Sequence, residues 1–106
     1  MPQQVDTPIT IGSSSIDLGS AIREHAEQEI RKMADKYFQR LNTASVHFTN
    51  EGNAFRCSVN IRMGGLDMMS AEAAAKDAYL AFDSALAKVE KQLRRTKREI
   101  REDKHG

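Results

Sequence analysis

The residues of this 106-residue chain best placed to do chemistry are a run of cations, Lys88, Lys91, Arg94, Arg95, Lys97 and Arg98, interrupted by one acid, Glu90. On a helical wheel Lys91, Arg94, Arg98 and Arg101 fall on one stripe, flanked by Lys88 and Arg95. Ala78, Phe82, Ala85, Leu86, Val89, Leu93 and Ile100 fall on the opposite stripe, with the 3-and-4 spacing of an amphipathic helix. A face that serves only solubility usually mixes signs, because i,i+4 pairs of opposite charge stabilise a helix. Here the cations mostly repel one another, and an external polyanion would relieve that repulsion. A solvated charged face is the plainer alternative. The chemistry such a stripe can do is binding: it neutralises phosphates and makes or breaks no bond.

Groups that could catalyse are not gathered by the sequence. His25, His47 and His105 fall on a helix, a strand and a tail, with no second ligand type at metal spacing. Cys57 sits on the inward face of an alternating strand, the place of a small buried hydrophobe rather than a nucleophile. Gly64 and Gly65 form a turn and lack the lysine and following helix of a phosphate loop. The expectation is therefore a non-enzyme with no catalytic residues, metal, cofactor or small-molecule substrate.

Composition narrows the setting. The net charge is +1, but residues 88–104 hold eight basic and four acidic side chains, a local +4, so the rest of the chain nets −3. One basic element on a near-neutral protein points to a local polyanion site. The single cysteine excludes an internal disulfide and fits a reducing compartment. No apolar run approaches the roughly 18 residues of a membrane span, so a cytoplasmic location without a membrane partner is expected.

The elements that must position the cations follow from periodicity. Residues 1–8, polar with two prolines, suggest a flexible leader; 9–102 a single domain; 103–106 a tail. Ile9 to Ile11 alternates as a short strand, and Ser13, Ser14 and Ser15 suggest a turn. A helix from about Ser20 to Tyr37, capped by Asp17 or Gly19, has Ile22, Ala26, Ile30, Met33 and Tyr37 on its apolar stripe. Arg23–Glu27 and Glu27–Arg31 are expected i,i+4 pairs.

Ala44 to Thr49 alternates with Ala44, Val46 and Phe48 inward; a hairpin turn at 50–53 follows. Phe55, Cys57, Val59, Ile61 and Met63 then mark a full half-buried strand. Leu66 to about Ala73 is a weaker strand with Met69, Ala71 and Ala73 inward, and the long helix starts near Ala75 with Asp77 in its first turn.

The order β-α-β-β-β-α implies an α+β, two-layer sandwich. Two helices cover one face of a four-stranded sheet, much as in double-stranded RNA-binding domains. The first strand should lie parallel to a neighbour through the β-α-β crossover. The open face would show Ser45, His47, Thr49, Arg56, Ser58, Asn60 and Arg62. Phe48 and Phe55 point inward, so the sheet offers no stacking platform for single strands.

The segment Ile16 to Glu24 (IDLGSAIRE), the segment Asp77 to Asp83 (DAYLAFD) and the run Lys88 to Arg95 (KVEKQLRR) resemble those of ribosome hibernation promoting factors and ribosome-associated inhibitors. The resemblance spans about residues 9–100. It implies a ribosome-binding translation inhibitor that occupies the mRNA and tRNA channel of the small ribosomal subunit and promotes hibernation under stress or in stationary phase. The implied partner is the small subunit, through ribosomal RNA, in the 70S ribosome. Pairing of ribosomes with a second hibernation factor stays open, as does a short form versus the N-terminal part of a longer protein.

Carried over by position, Arg23, Lys32, Lys88, Lys91 and Arg95 match family basic positions; Arg94 and Arg98 join them from the wheel as RNA-binding candidates. Tyr79 matches too, and its place beside the apolar stripe suggests core packing. Two rival readings remain: a stand-alone double-stranded RNA-binding module, and a protein-interaction adaptor using the open sheet face or an edge strand.

Overall fold

The computed structural model describes residues 9–14 and 18–105, of which 98–105 only as helical backbone. The elements are β1 (Ile9–Ser14), α1 (Ser20–Lys36), β2 (Leu41–Glu51), β3 (Ala54–Met63), β4 (Met69–Ala75) and α2 (Ala78–His105). The expected leader at residues 1–8, with Ser15 and Asp17, lies outside the described residues. Helical backbone continues through 103–105, the stretch expected as a tail.

The strands form one mixed sheet in the order β1-β2-β3-β4. β1 runs parallel to β2, and the other two pairings are antiparallel. This is the expected α+β sandwich. Two-residue periodicity made β2 and β3, and the inward sets were read correctly. Ala44, Val46 and Phe48 of β2, and Cys57, Val59, Ile61 and Met63 of β3, are buried. Phe55 is half-buried against the same core. The hairpin between them turns on Gly52 and Asn53, with φ +63° at Gly52 alone. Positive φ only at the first of two loop residues matches a type II′ turn, which favours glycine there.

Ile22, Ala26, Ile30, Met33 and Ala34 of α1 join Ala81, Phe82, Ala85, Leu86, Val89 and Leu93 of α2 over these strands in one core. Each fully buried large side chain contributes about 1.5–3 kcal/mol of transfer free energy. Ala78 is half-buried against this core, and the Ile100 side chain lies outside the described residues.

Several local expectations are corrected. β1 continues through Ser14, because Ser13 and Ser14 pair with Phe48 and Thr49 of β2. Ser14 Oγ also lies 2.9 Å from His47 Nε2. β4 starts at Met69 rather than Leu66: Leu66 N–H instead donates to the Met63 carbonyl at 3.0 Å in the preceding turn. Its inward set holds for Met69 and Ala73, while Ala71 is half-buried. α2 begins at Ala78, since Ala74 and Ala75 pair with Arg56 and Phe55. Asp77 therefore precedes the helix and caps it, accepting the Tyr79 N–H at 2.6 Å on Oδ1. Gly19 takes the N-cap place of α1 without a side-chain bond. Neither the Arg23–Glu27 nor the Glu27–Arg31 pair forms; Arg23 instead donates to the Ile11 carbonyl at the edge of β1.

Candidate nucleic-acid interface

The capped helix α2 puts its apolar stripe on β3 and β4 and turns the other side to solvent. Lys91, Arg94 and Arg95 are exposed there. Among the described residues none of the three makes a hydrogen bond or ion pair. They are the cations of the expected stripe left open to an external anion. Arg98 belongs to the same run of helix, but its side chain lies outside the described residues.

The remaining candidates are engaged. Lys88 Nζ donates to the Glu72 carbonyl of β4 at 2.9 Å, and the neighbouring Gln92 Nε2 to the Ser70 carbonyl at 2.9 Å. Across the sheet, an Arg23 guanidinium nitrogen donates to the Ile11 carbonyl of β1 at 2.8 Å. Because β1 and β4 are the two edge strands, Arg23 and Lys88 cover edge carbonyls that would otherwise invite another strand. Lys32 lies 3.2 Å from Glu29 on its own helix. Arg23 and Lys88 are thus anchored at opposite edges of the sheet.

The one acid inside the cationic run is used between the helices. Glu90 Oε2 accepts Lys36 Nζ and the Tyr37 hydroxyl, each at 2.8 Å. The Lys36 hydrogen bond, followed by that of Tyr37, holds the Glu90 carboxyl below the usual glutamate range despite its partial burial. Glu90 in turn raises Lys36 above its ordinary value, first through the hydrogen bond. Tyr37 is raised by burial and then by its bond to Glu90. Lys97 reaches back to the Tyr37 carbonyl at 3.3 Å. Sequence reading placed Tyr37 on the apolar stripe of α1 and Glu90 as the acid within the basic run, but nothing local linked them to each other or to Lys36.

Tyr79 is not a core residue. It is 38 % exposed and packs on His25 with ring centroids 5.2 Å apart. His25 also meets Phe82 and, at 2.8 Å through Nε2, the Asp83 carboxylate. The open sheet face is largely self-paired: Arg56 reaches both Glu51 and Glu72, and Ser70 donates to Asn60. Phe38, which sequence reasoning passed over, stands 94 % exposed just after α1.

For catalysis the described residues offer little. They hold no group of three or more His, Cys, Asp or Glu side chains suited to a metal. Burial pushes the Cys57 thiol up to about 12, which suppresses the thiolate. No helix among the described residues is long and apolar enough to cross a membrane.

The architecture and its exposed cations define a small α+β module with one cationic helix face. The chain belongs to the family described as sigma 54 modulation protein / S30EA ribosomal protein, whose sequence pattern it matches over residues 9–101. It is 26 % identical over 94 residues to a ribosome hibernation promotion factor of Bradyrhizobium diazoefficiens, covering 89 % of this chain and 46 % of that protein. A ribosome hibernation promotion factor of Rhizobium meliloti is 24 % identical over 98 residues, with 92 % and 52 % covered. The chain therefore spans about half the length of both. The fold is similar to the N-terminal domain of Thermus thermophilus Protein Y, with TM-score 0.73, 22 % identity and 82 % and 94 % of the two chains covered. It is equally similar to a ribosomal subunit interface protein from Coxiella burnetii, with TM-score 0.73, 22 % identity and 84 % and 96 % covered.

Proposed function

We propose that this protein is a cytoplasmic, non-enzymatic ribosome-binding translation inhibitor. It occupies the mRNA and tRNA channel of the small subunit and promotes hibernation of the 70S ribosome under stress or in stationary phase. The observation that carries this reading is the exposed set Lys91, Arg94 and Arg95 on the solvent face of α2 in a chain of this family. The names of the two relatives, both ribosome hibernation promotion factors, support it.

Mechanistically, the buried stripe of α2 fixes the helix on the sheet, so the cations meet RNA from a rigid support. The cations of that face displace condensed counterions from ribosomal RNA phosphates, and attraction replaces the like-charge repulsion along the helix. Binding reads backbone and shape more than base edges. Inhibition then needs no chemistry: a folded domain in the channel excludes messenger and transfer RNA by occupying their space.

Sucrose-gradient sedimentation of a stationary-phase lysate tests the reading. The protein is expected to travel with ribosomes, and pre-bound messenger and initiator transfer RNA are expected to reduce its binding to small subunits. Undiminished binding to a fully occupied initiation complex would move the site out of the channel. Equal affinity for naked RNA duplex would favour a general double-stranded RNA module.

A further inference from the structure

Phe38 is an aromatic side chain that the fold does not use. Its ring is 94 % exposed and its φ is +54°, the left-handed region in which a bulky residue is an outlier. The cause lies in how α1 ends. Phe38 N–H donates to the Asp35 carbonyl at 3.1 Å and Gln39 N–H to the Ala34 carbonyl at 2.9 Å. These are the two bonds of a Schellman motif, whose left-handed residue is usually glycine. Folding alone would favour glycine at 38, on grounds of both backbone and exposure.

The turn is held from several sides. Gly64 N–H donates to the Arg40 carbonyl at 2.8 Å, Asn42 Nδ2 to the Gly64 carbonyl at 2.7 Å, and Lys97 Nζ to the Tyr37 carbonyl at 3.3 Å. Gly64 suits the place because its φ is +54°, a conformation strained for residues with a side chain. A strained residue kept in place by its surroundings is a mark of functional positions. The residues flanking Phe38 in the chain, Asp35, Gln39 and Arg40, line with Arg31 an open cleft of about 340 Å³.

We propose that Phe38 is a stacking post for an unpaired RNA base, with Arg31 and Arg40 taking the flanking phosphates. This is a second RNA contact, apart from the α2 face, and its placement on the ribosome rests on the function proposed above. Cations beside a projecting ring favour RNA over a protein socket. Single-strand sites combine stacking aromatics with positive charge, whereas the cores of protein interfaces are depleted of charge.

The chain has no tryptophan, so Phe38→Trp introduces a single reporter at the post. Its fluorescence is expected to be quenched by a mixed-sequence single-stranded RNA heptamer and not by a blunt duplex of the same sequence. On small subunits, Phe38→Leu and Phe38→Gly are expected to bind roughly 5- to 150-fold more weakly, the span found for loss of one base stack. The glycine variant should at the same time melt roughly 4–8 °C higher, because the left-handed strain is relieved. A merely structural residue would not move binding and stability in opposite directions.

Absence of quenching by the single strand at saturation overturns the proposal. So do wild-type-like binding of the leucine and glycine variants to subunits, and photo-crosslinking from p-benzoylphenylalanine at position 38 to ribosomal protein alone. If the unmodified protein fails to bind subunits while the Phe38→Trp protein is quenched by the heptamer, the ribosomal reading fails and the stacking post stands.

Discussion

The Tyr37 hydroxyl donates to the Glu90 carboxylate at 2.8 Å, tying the end of α1 to the middle of α2. Lys36 meets the same oxygen. The acid within the cationic run is thereby committed to helix pairing, its charge still felt by Arg94, while Lys91, Arg94 and Arg95 are exposed without a hydrogen bond or ion pair among the described residues.

This clamp gives a pH dependence with a definite sign. The folded-state pKa of Glu90 is depressed by Lys36 and Tyr37. Its contribution to stability is therefore present above the unfolded glutamate value, about 4.3, and is lost as pH falls through the folded value. Lys36 and Tyr37 are both raised, so the clamp also weakens above about pH 10. Chemical denaturation from pH 7 to pH 3 is expected to show a loss that Glu90→Gln reduces. Tyr37→Phe, which removes one donor to a carboxylate, is expected to cost about 1–2 kcal/mol at pH 7. Identical acid profiles for wild type and Glu90→Gln would contradict the clamp.

Phe82 is fully buried where α2 meets the sheet. Phe82→Ala is expected to cost about 3–5 kcal/mol, a large part of the stability of a domain this size. An unchanged urea midpoint would show that the packing face is misassigned.

Lys88 and Gln92 cover carbonyls of β4, one edge of the sheet. The double variant Lys88→Ala, Gln92→Ala uncovers that edge, and exposed edges pair with other strands. Analytical ultracentrifugation is expected to show concentration-dependent self-association beyond that of wild type. Sedimentation identical to wild type up to high protein concentration would mean that these side chains do not guard the edge.

Cys57 is buried with its thiol pushed up to about 12. Alkylation by iodoacetamide at pH 8 is expected to be negligible in the native state and to appear with unfolding. Fast native labelling would contradict the inward placement of β3.

Much of this was legible in the sequence. Alternation through β2 and β3 and the 3-and-4 spacing of α2 each left one arrangement that buried the apolar residues. Other features depend on partners distant in sequence. Ser13 and Ser14 look like a turn until β2 pairs with them in parallel. Ala74 and Ala75 suit a helix locally, and pairing with β3 makes them strand. The inward place of Met69 follows from its pairing with Ile61, which leaves Met68 before the strand and 53 % exposed.

The site divides in the same way. The outward placement of Lys91, Arg94 and Arg95 followed from the wheel. No local pattern could tell that Lys88 and Arg23 would bind edge carbonyls, or that α1 would end with Phe38 in a left-handed turn.

The central claim is that the outer face of α2 binds ribosomal RNA phosphates. It is tested most directly by the salt dependence of binding to isolated small subunits. Lys91, Arg94 and Arg95 are replaced together by Gln, which keeps helix propensity nearly constant, with Arg62→Gln on the open sheet face as control. The account predicts weaker binding for the triple variant, a log–log salt slope shallower by roughly two to three units, an unchanged or slightly higher Tm, and a control close to wild type. A triple variant with wild-type affinity and wild-type slope would contradict it and reduce the basic face of α2 to a solvated surface.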